Sequence, residues 1–316
     1  MTAPTLSELF VLGLLRAQIA ASLAILAVVA LRGPVRRLAG PDIAYGLWAL
    51  APAAALTSLF PTLAEFMSRD SLFGAGGRAT GGTWLRALTD DGFWADWAHA
   101  LTAAWLVGAL GLALLILLAE MRFRRLARLG LAGPAIVGVA APRLVTPFDY
   151  VERFTEAERG FIRRHERAHM QRGDNLANLV IALAQVLAWF NPLVHLAANL
   201  ARLDQEAACD ARVLEGRPRE RRAYAEALLK AHLPGGRTGL ACPWAAGGRH
   251  PLEWRLRLLA RPEPTLRRYM AGLTLVGTLA VLAAASVWTL APPRQGAQVR
   301  PLPAAVALEL QLSRRG

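Results

Sequence analysis

The sequence predicts a mainly α membrane protein, with four transmembrane helices and a cytoplasmic α+β domain placed before the last of them. Three observations carry this. The 316 residues are 54% hydrophobic and only 19% charged, whereas an ordinary soluble domain carries about 25% charged residues. The apolar residues gather into runs of about 20, the length that crosses a hydrocarbon core. The charge is segregated as well: of a net +13, +11 falls between Met121 and Arg268, where 25 basic residues face 14 acidic ones. Such a composition excludes a plain cytosolic enzyme and a disordered regulator. Basic cytoplasmic segments explain the surplus of arginine without direct contact to nucleic acid.

The four runs are Phe10 to Leu31, Ile43 to Leu59, Trp97 to Leu118 and Tyr269 to Leu290, the second containing Pro52. Neither a basic segment before the first run nor a small-residue cleavage site marks it as a signal peptide, so it reads as an uncleaved span. Arg32, Arg36 and Arg37 lie between runs one and two, Arg122 to Arg128 follow run three, and Arg255 to Arg268 precede run four. The loop Pro61 to Asp96 carries three arginines against five acids. The positive-inside rule then puts both termini outside. The expected division is residues 1–120 for three spans with an external loop at about 61–96, and 121–268 for the cytoplasmic domain. Residues 269–290 make the fourth span and 291–316 a short external tail.

Within the domain, Ala135 to Val139 and Arg143 to Thr146 read as short strands closed by Pro147. Their edge could accept an extended substrate as an added strand. Thr155 and Glu158 form a capping box that opens a helix to about Arg172. A second helix, about Asn175 to Phe190, is apolar nearly all round and too short to span comfortably. It belongs to the domain core or packs against the bilayer. Asn191-Pro192 supplies a cap and a first-turn proline for a helix toward Leu214.

The capped helix holds His165-Glu166-Arg167-Ala168-His169. Histidines four apart project from one helical face and can share one tetrahedral ion, and Glu166 is placed to act as base on a water beside it. A third protein ligand is needed. The position six residues after His169 is Asn175, not histidine, so the candidate is Glu206 in Asp204-Gln205-Glu206-Ala207-Ala208-Cys209-Asp210. Asp210, one turn on, could accept the free N–H of a ligand histidine. Carboxylates four apart commonly face solvent, but this helix follows an apolar stretch that should pack on the motif helix. Cys209 reads as a buried small hydrophobe, and two cysteines are too few for a thiolate cluster. Asp174 reads as a cap for the next helix, or else as a group that orients a ligand histidine. His195, His232, Tyr224 and Arg143 are candidate oxyanion donors.

From about Gly133 to Leu259 the chain resembles the BlaR/MecR-type membrane metallopeptidases. The resemblance rests on Pro142-Arg143-Leu144-Val145, the histidine motif with Arg172-Gly173-Asp174, and Phe190-Asn191-Pro192-Leu193. It extends through Arg202 to Asp210 and Tyr224-Ala225-x-x-Leu228-Leu229. It implies a gluzincin-like zinc peptidase domain, with zinc at His165, His169 and Glu206, Glu166 as base, and Asp210 behind a ligand. It also implies an antirepressor-type endopeptidase of the bacterial inner membrane. Its substrate would be a cytoplasmic regulatory protein, such as a winged-helix repressor, or the chain itself, and a homodimer is possible.

The sensor members continue into a penicillin-binding domain, whereas Ala291 to Gly316 is a proline-rich tail without Ser-x-x-Lys. Two other readings are a housekeeping or prenyl-protein-type gluzincin and a non-catalytic transducer with a structural zinc. The glycine- and proline-rich stretch Pro234 to Pro251 is the candidate site of self-cleavage. A reporter fused after Arg128 or Lys230 is expected on the cytoplasmic side, and one after Gly76 or Pro303 outside. Gly76 and Lys230 fusions on the same side would overturn the four-span arrangement.

Overall fold

The computed structural model describes residues 5–59, 93–232 and 251–290. The loop expected outside, the Pro234 to Pro251 stretch, Cys242 and the tail from Ala291 lie outside the described residues or nearly so, as does the side chain of His232. The described chain is mostly helical. Helix α1 (Leu6–Ala39) opens with a capping box in which Thr5 accepts from the Glu8 N–H and Glu8 accepts from the Thr5 N–H. Helix α2 (Pro41–Gly46), a 3-10 turn (Leu47–Ala49) and α3 (Leu50–Thr57) occupy the second apolar run. Pro52 has no N–H to offer the carbonyl of Trp48, and the helix tightens there instead of running straight. Helix α4 (Phe93–Arg128) covers the third run. Of the helices described, α1 and α4 are long and apolar enough to cross a membrane. Helix α11 (Leu266–Leu290) holds the fourth run.

Between α4 and α11, β1 (Ala135–Val137) and β2 (Arg143–Val145) form an antiparallel pair with Ile136 opposite Leu144, each strand shorter than expected from sequence. A short helix α5 (Tyr150–Arg153) leads to α6 (Glu156–Arg172), which carries the anticipated box between Thr155 and Glu158. Gly173, at φ +68°, ends α6 in the left-handed conformation that glycine adopts without strain. Helix α7 (Asp174–Leu187) starts at once. Asn191 then caps α8 (Pro192–Leu214) by accepting from the Leu193 N–H, with Pro192 in the first turn. Helices α9 (Arg221–His232) and α10 (Pro251–Leu259) complete the unit.

Helix α8 belongs to two cores. Its first half, at Val194, Ala197 and Ala201, packs with Ile25, Val28 and Val35 of α1 and with Ile43, Leu47 and Trp48. Its second half, at Val213 and Leu214, packs with Phe161, Tyr224, Leu228 and Leu259. Asp204 stands where the two meet. Its fully buried carboxylate receives Arg32 Nη1 at 2.9 Å, Arg36 Nη1 at 2.8 Å and Trp48 Nε1 at 2.9 Å. Removing one member of a buried ion cluster strands its partners, at a cost of about 3–5 kcal/mol. Asp204→Ala should therefore lower the unfolding midpoint in detergent sharply. Glu226→Ala, at an exposed pair with Arg222, should leave it within about 0.5 kcal/mol of the parent.

Candidate metal centre

Five helices, α6 to α10, bring the site together. Because 3.6 residues make a turn, His165 and His169 stand one above the other on α6, their Nε2 atoms 3.1 Å apart. Helix α8 crosses this face and presents Glu206, with Oε2 at 3.3 Å from His165 Nε2 and Oε1 at 3.6 Å from His169 Nε2. The three groups can hold one ion, all donor atoms lying within 4.8 Å of one another. A tetrahedral ion with bonds of about 2 Å has ligand atoms about 3.3 Å apart. The two Nε2 atoms, 3.1 Å apart, come close to that edge, and each has one of the two Glu206 oxygens at 3.3 or 3.6 Å.

The outward nitrogens of both imidazoles are held by carboxylates. His165 Nδ1 lies 3.3 Å from Asp210 Oδ1 and 3.0 Å from the Tyr224 hydroxyl, which itself donates to Asp210 at 2.6 Å. Burial and the negative charge of Asp210 push the Tyr224 phenol well above its usual range, so it stays a donor. His169 Nδ1 lies 2.7 Å from Asp174 Oδ2. With an ion bound, these contacts would keep the proton of each ring on Nδ1 and leave Nε2 for the ion. Asp174 therefore does not cap α7: Gly173 is the N-cap, with no side-chain bond, and the Asp174 carboxylate turns to the histidine. Cys209 is fully buried and donates to Asp174 Oδ2 at 3.3 Å. It lies with His169 and Asp174 in a second metal-competent group. Burial and the neighbouring Asp174 raise its thiol far above the normal range, so without an ion it stays protonated.

Arg255 is the residue that sequence reasoning missed. It arrives on α10, buried, and grips Asp210 through Nε and Nη2, both at 2.7 Å. Its Nη1 lies 3.0 Å from Glu206 Oε2. Burial alone would raise both carboxyls, but the Arg255 charge and then His165 prevail and hold Glu206 and Asp210 far below the usual range. Burial likewise opposes a charged His165, yet its hydrogen bonds to Asp210 and Glu206 raise it to about 10. Glu166 is buried on the same helix, and burial lifts its carboxyl above the ordinary range against the attraction of His165 and His169.

The remaining sequence candidates lie elsewhere. His195 bonds Gln185 at 3.1 Å and the Trp189 carbonyl at 2.9 Å, a packing role at the turn after α7. Arg143 is exposed on β2. Behind the site, Arg172 joins Asp174 to Asp42 of α2 and lies over the Tyr45 ring. Gln205 donates to the Tyr45 hydroxyl at 3.0 Å.

The profile of the BlaR1 peptidase M56 family matches residues 12–130 and 126–259, and the chain belongs to that family. Regulatory protein BlaR1 of Bacillus licheniformis is 33% identical over 98 residues, covering 31% of this chain and 16% of that protein. Methicillin resistance mecR1 proteins of Staphylococcus aureus and Staphylococcus epidermidis are 29% identical over 101 residues, covering 32% of this chain and 17% of theirs. The matched part is thus about a sixth of the length of these curated relatives.

Arg255→Gln leaves the buried Asp210 and the part-exposed Glu206 short of their cation. A bound divalent ion would restore positive charge beside them. The variant should therefore lose about 3 kcal/mol or more of stability without metal, and regain a large part of it when metal is added. Equal destabilisation with and without metal would show that Arg255 acts only on packing.

Proposed function

We propose that this M56 chain is a membrane-anchored zinc endopeptidase that cleaves a cytoplasmic regulatory protein, or itself, in signal transduction. The observation that carries the reading is the convergence of His165, His169 and Glu206 on one point, with the buried carboxyl of Glu166 beside them. Two imidazole nitrogens and one carboxylate oxygen are the donor set of a catalytic zinc site that keeps a position open. Zinc bound there would polarise the scissile carbonyl and acidify water.

The chain's own residues do the rest. Glu166, its affinity for a proton raised by burial, takes the proton of the attacking water and passes it to the leaving nitrogen. Asp210 with Tyr224, and Asp174, fix the tautomers of the two histidines and aim Nε2 inward. Arg255 keeps Glu206 an anion. An extended peptide would add to the edge of the β1–β2 pair. That pair is tied to the start of α7 by a hydrogen bond from Asn175 Nδ2 to the Gly138 carbonyl.

The topology proposed with this activity has four spans, a domain in the bacterial cytoplasm and both termini outside. Its support is the two long apolar helices and the position of Arg32 and Arg36. They end α1 on the side where the metal centre lies, bound to Asp204 two residues from Glu206.

Elemental analysis should find about one zinc per chain, lost in the His165→Ala, His169→Ala double variant and weakened by Glu206→Gln. Glu166→Gln should retain zinc and lose cleavage by about 10²–10⁴-fold. Peptides mapped from membranes of expressing cells should show a Glu166-dependent cut between Ala231 and Glu253. Zinc retained in the double variant, or full cleavage by Glu166→Gln, would overturn the assignment.

A further inference from the structure

Helix α7 is an anomaly as part of a cytoplasmic domain. Leu176, Leu179, Val180, Leu183 and Leu187 follow one another at three- and four-residue spacing and are all exposed, from 42 to 57%. No charged residue occurs from Asn175 to Ala201. A stripe of this kind marks a surface meant for an apolar partner. We infer that α7 and the first half of α8 form a re-entrant hairpin that enters the bilayer from the side of the metal centre, turns inside it and returns, with this stripe against the acyl chains. The inference rests on the proposal that α1 and α4 cross the membrane.

The depth of the turn can be measured on three rulers. Trp105 of α4 donates to the Leu187 carbonyl at 3.0 Å, and Trp189 donates to the Trp105 carbonyl at 3.2 Å. The Trp189 ring fills a notch at Gly108, where a Cβ would sit 2.2 Å from it. On the other side, Asn191 donates to Gln18 at 2.9 Å and to Ser22 at 3.0 Å on α1. At 1.5 Å per residue, Trp105 lies about 22 Å along α4 from Glu120, its first charge on the basic side. Gln18 lies about 21 Å from Arg32 along α1, and Asn191 about 20 Å from Asp204 along α8. The three agree. Asp204 is also bound to Arg32 and Arg36, which brings the root of the hairpin level with the basic end of α1. The tip therefore reaches about two-thirds of the way through a hydrocarbon core of about 30 Å.

The polar groups nearest the tip meet the demand that lipid makes, since they find partners inside the protein. Gln185 bonds His195, and Asn191 bonds Gln18 and Ser22. Lipid is the occupant that fits the stripe because the surface is continuous with the exposed leucines of α4 beside it, Leu106 and Leu110 among them. A peptidase held this way has its metal centre at the membrane surface.

The test is nitroxide labelling of single cysteines in a Cys242→Ser background, with the full chain in phosphatidylcholine vesicles. Buried Cys209 sets the unlabelled baseline. Labels at Leu176, Leu183 and Leu187 are read for collision with oxygen, which concentrates in lipid, and with a water-soluble nickel chelate. The oxygen-to-nickel ratio should rise in that order and match Leu110 on α4 at its top, while Glu226 on α9 stays low. Leu183 and Leu187 reading like Glu226, with Leu110 still reading lipid, would overturn the hairpin alone. Leu110 reading water would overturn the membrane reading together with it. Protection of Leu187 from both reagents, with dipolar coupling between labels on two chains, would assign the stripe to a second copy.

Discussion

The carboxylate of Asp204 is the point on which the molecule turns. Nothing buries a bare anion without cations to meet it, and here the cations come from α1, about 170 residues earlier in the chain. The apolar cluster of α1 and α2 ends at this position on α8, and the second apolar core begins below it. The helix that supplies Glu206 is thus held in register by the first helix of the chain. A slip of one residue would rotate Glu206 by about 100° away from the histidines. It would also take Asp204 off Arg32 and Arg36.

Around the metal centre, charge is stacked in alternating layers. Two imidazoles and a carboxylate face inward, two aspartates stand behind the imidazoles, and Arg255 and Arg172 stand behind the aspartates. Each layer offsets the desolvation of the one before it. The arrangement also reaches to α2, because Arg172 ends on Asp42 and against the Tyr45 ring. The orientation of His169 is tied in this way to the short helix that follows α1.

What was legible in the sequence was what local spacing encodes. Histidines at i and i+4, the Thr155–Glu158 box and the Asn191-Pro192 start are decided within one helical turn, and the structure shows those helices at those places. The site's supporting contacts are decided across the fold. Arg255 meets Asp210 from 45 residues away, and in sequence it is one arginine among many before an apolar run. For Asp174 the sequence leaves two roles open, a cap or a partner of a ligand histidine, and the packing of α7 on α6 selects the second. Pro52 was visible, but not that the helix around it would break into three pieces. The apolar character of α7 was plain too, yet whether it faced core or lipid depended on α4, which only packing could place beside it.

The placement of Arg255 has one more consequence, which concerns chain connectivity. Glu206, Asp210 and Tyr224 lie before residues 233–250, and Arg255 lies after them. While the backbone is whole, Arg255 is tethered to its partners, and such a tether keeps its effective concentration in the millimolar range or higher. A single break between α9 and α10 would remove it. The Arg255 clamp would then persist through its ion pairs and the contacts of Leu252, Leu256 and Leu259 with the core. It would become a reversible association between two fragments, the second anchored by α11. A peptidase that cut itself there would turn a permanent part of its own electrostatics into a ligand that can leave, so its activity would carry its own timer.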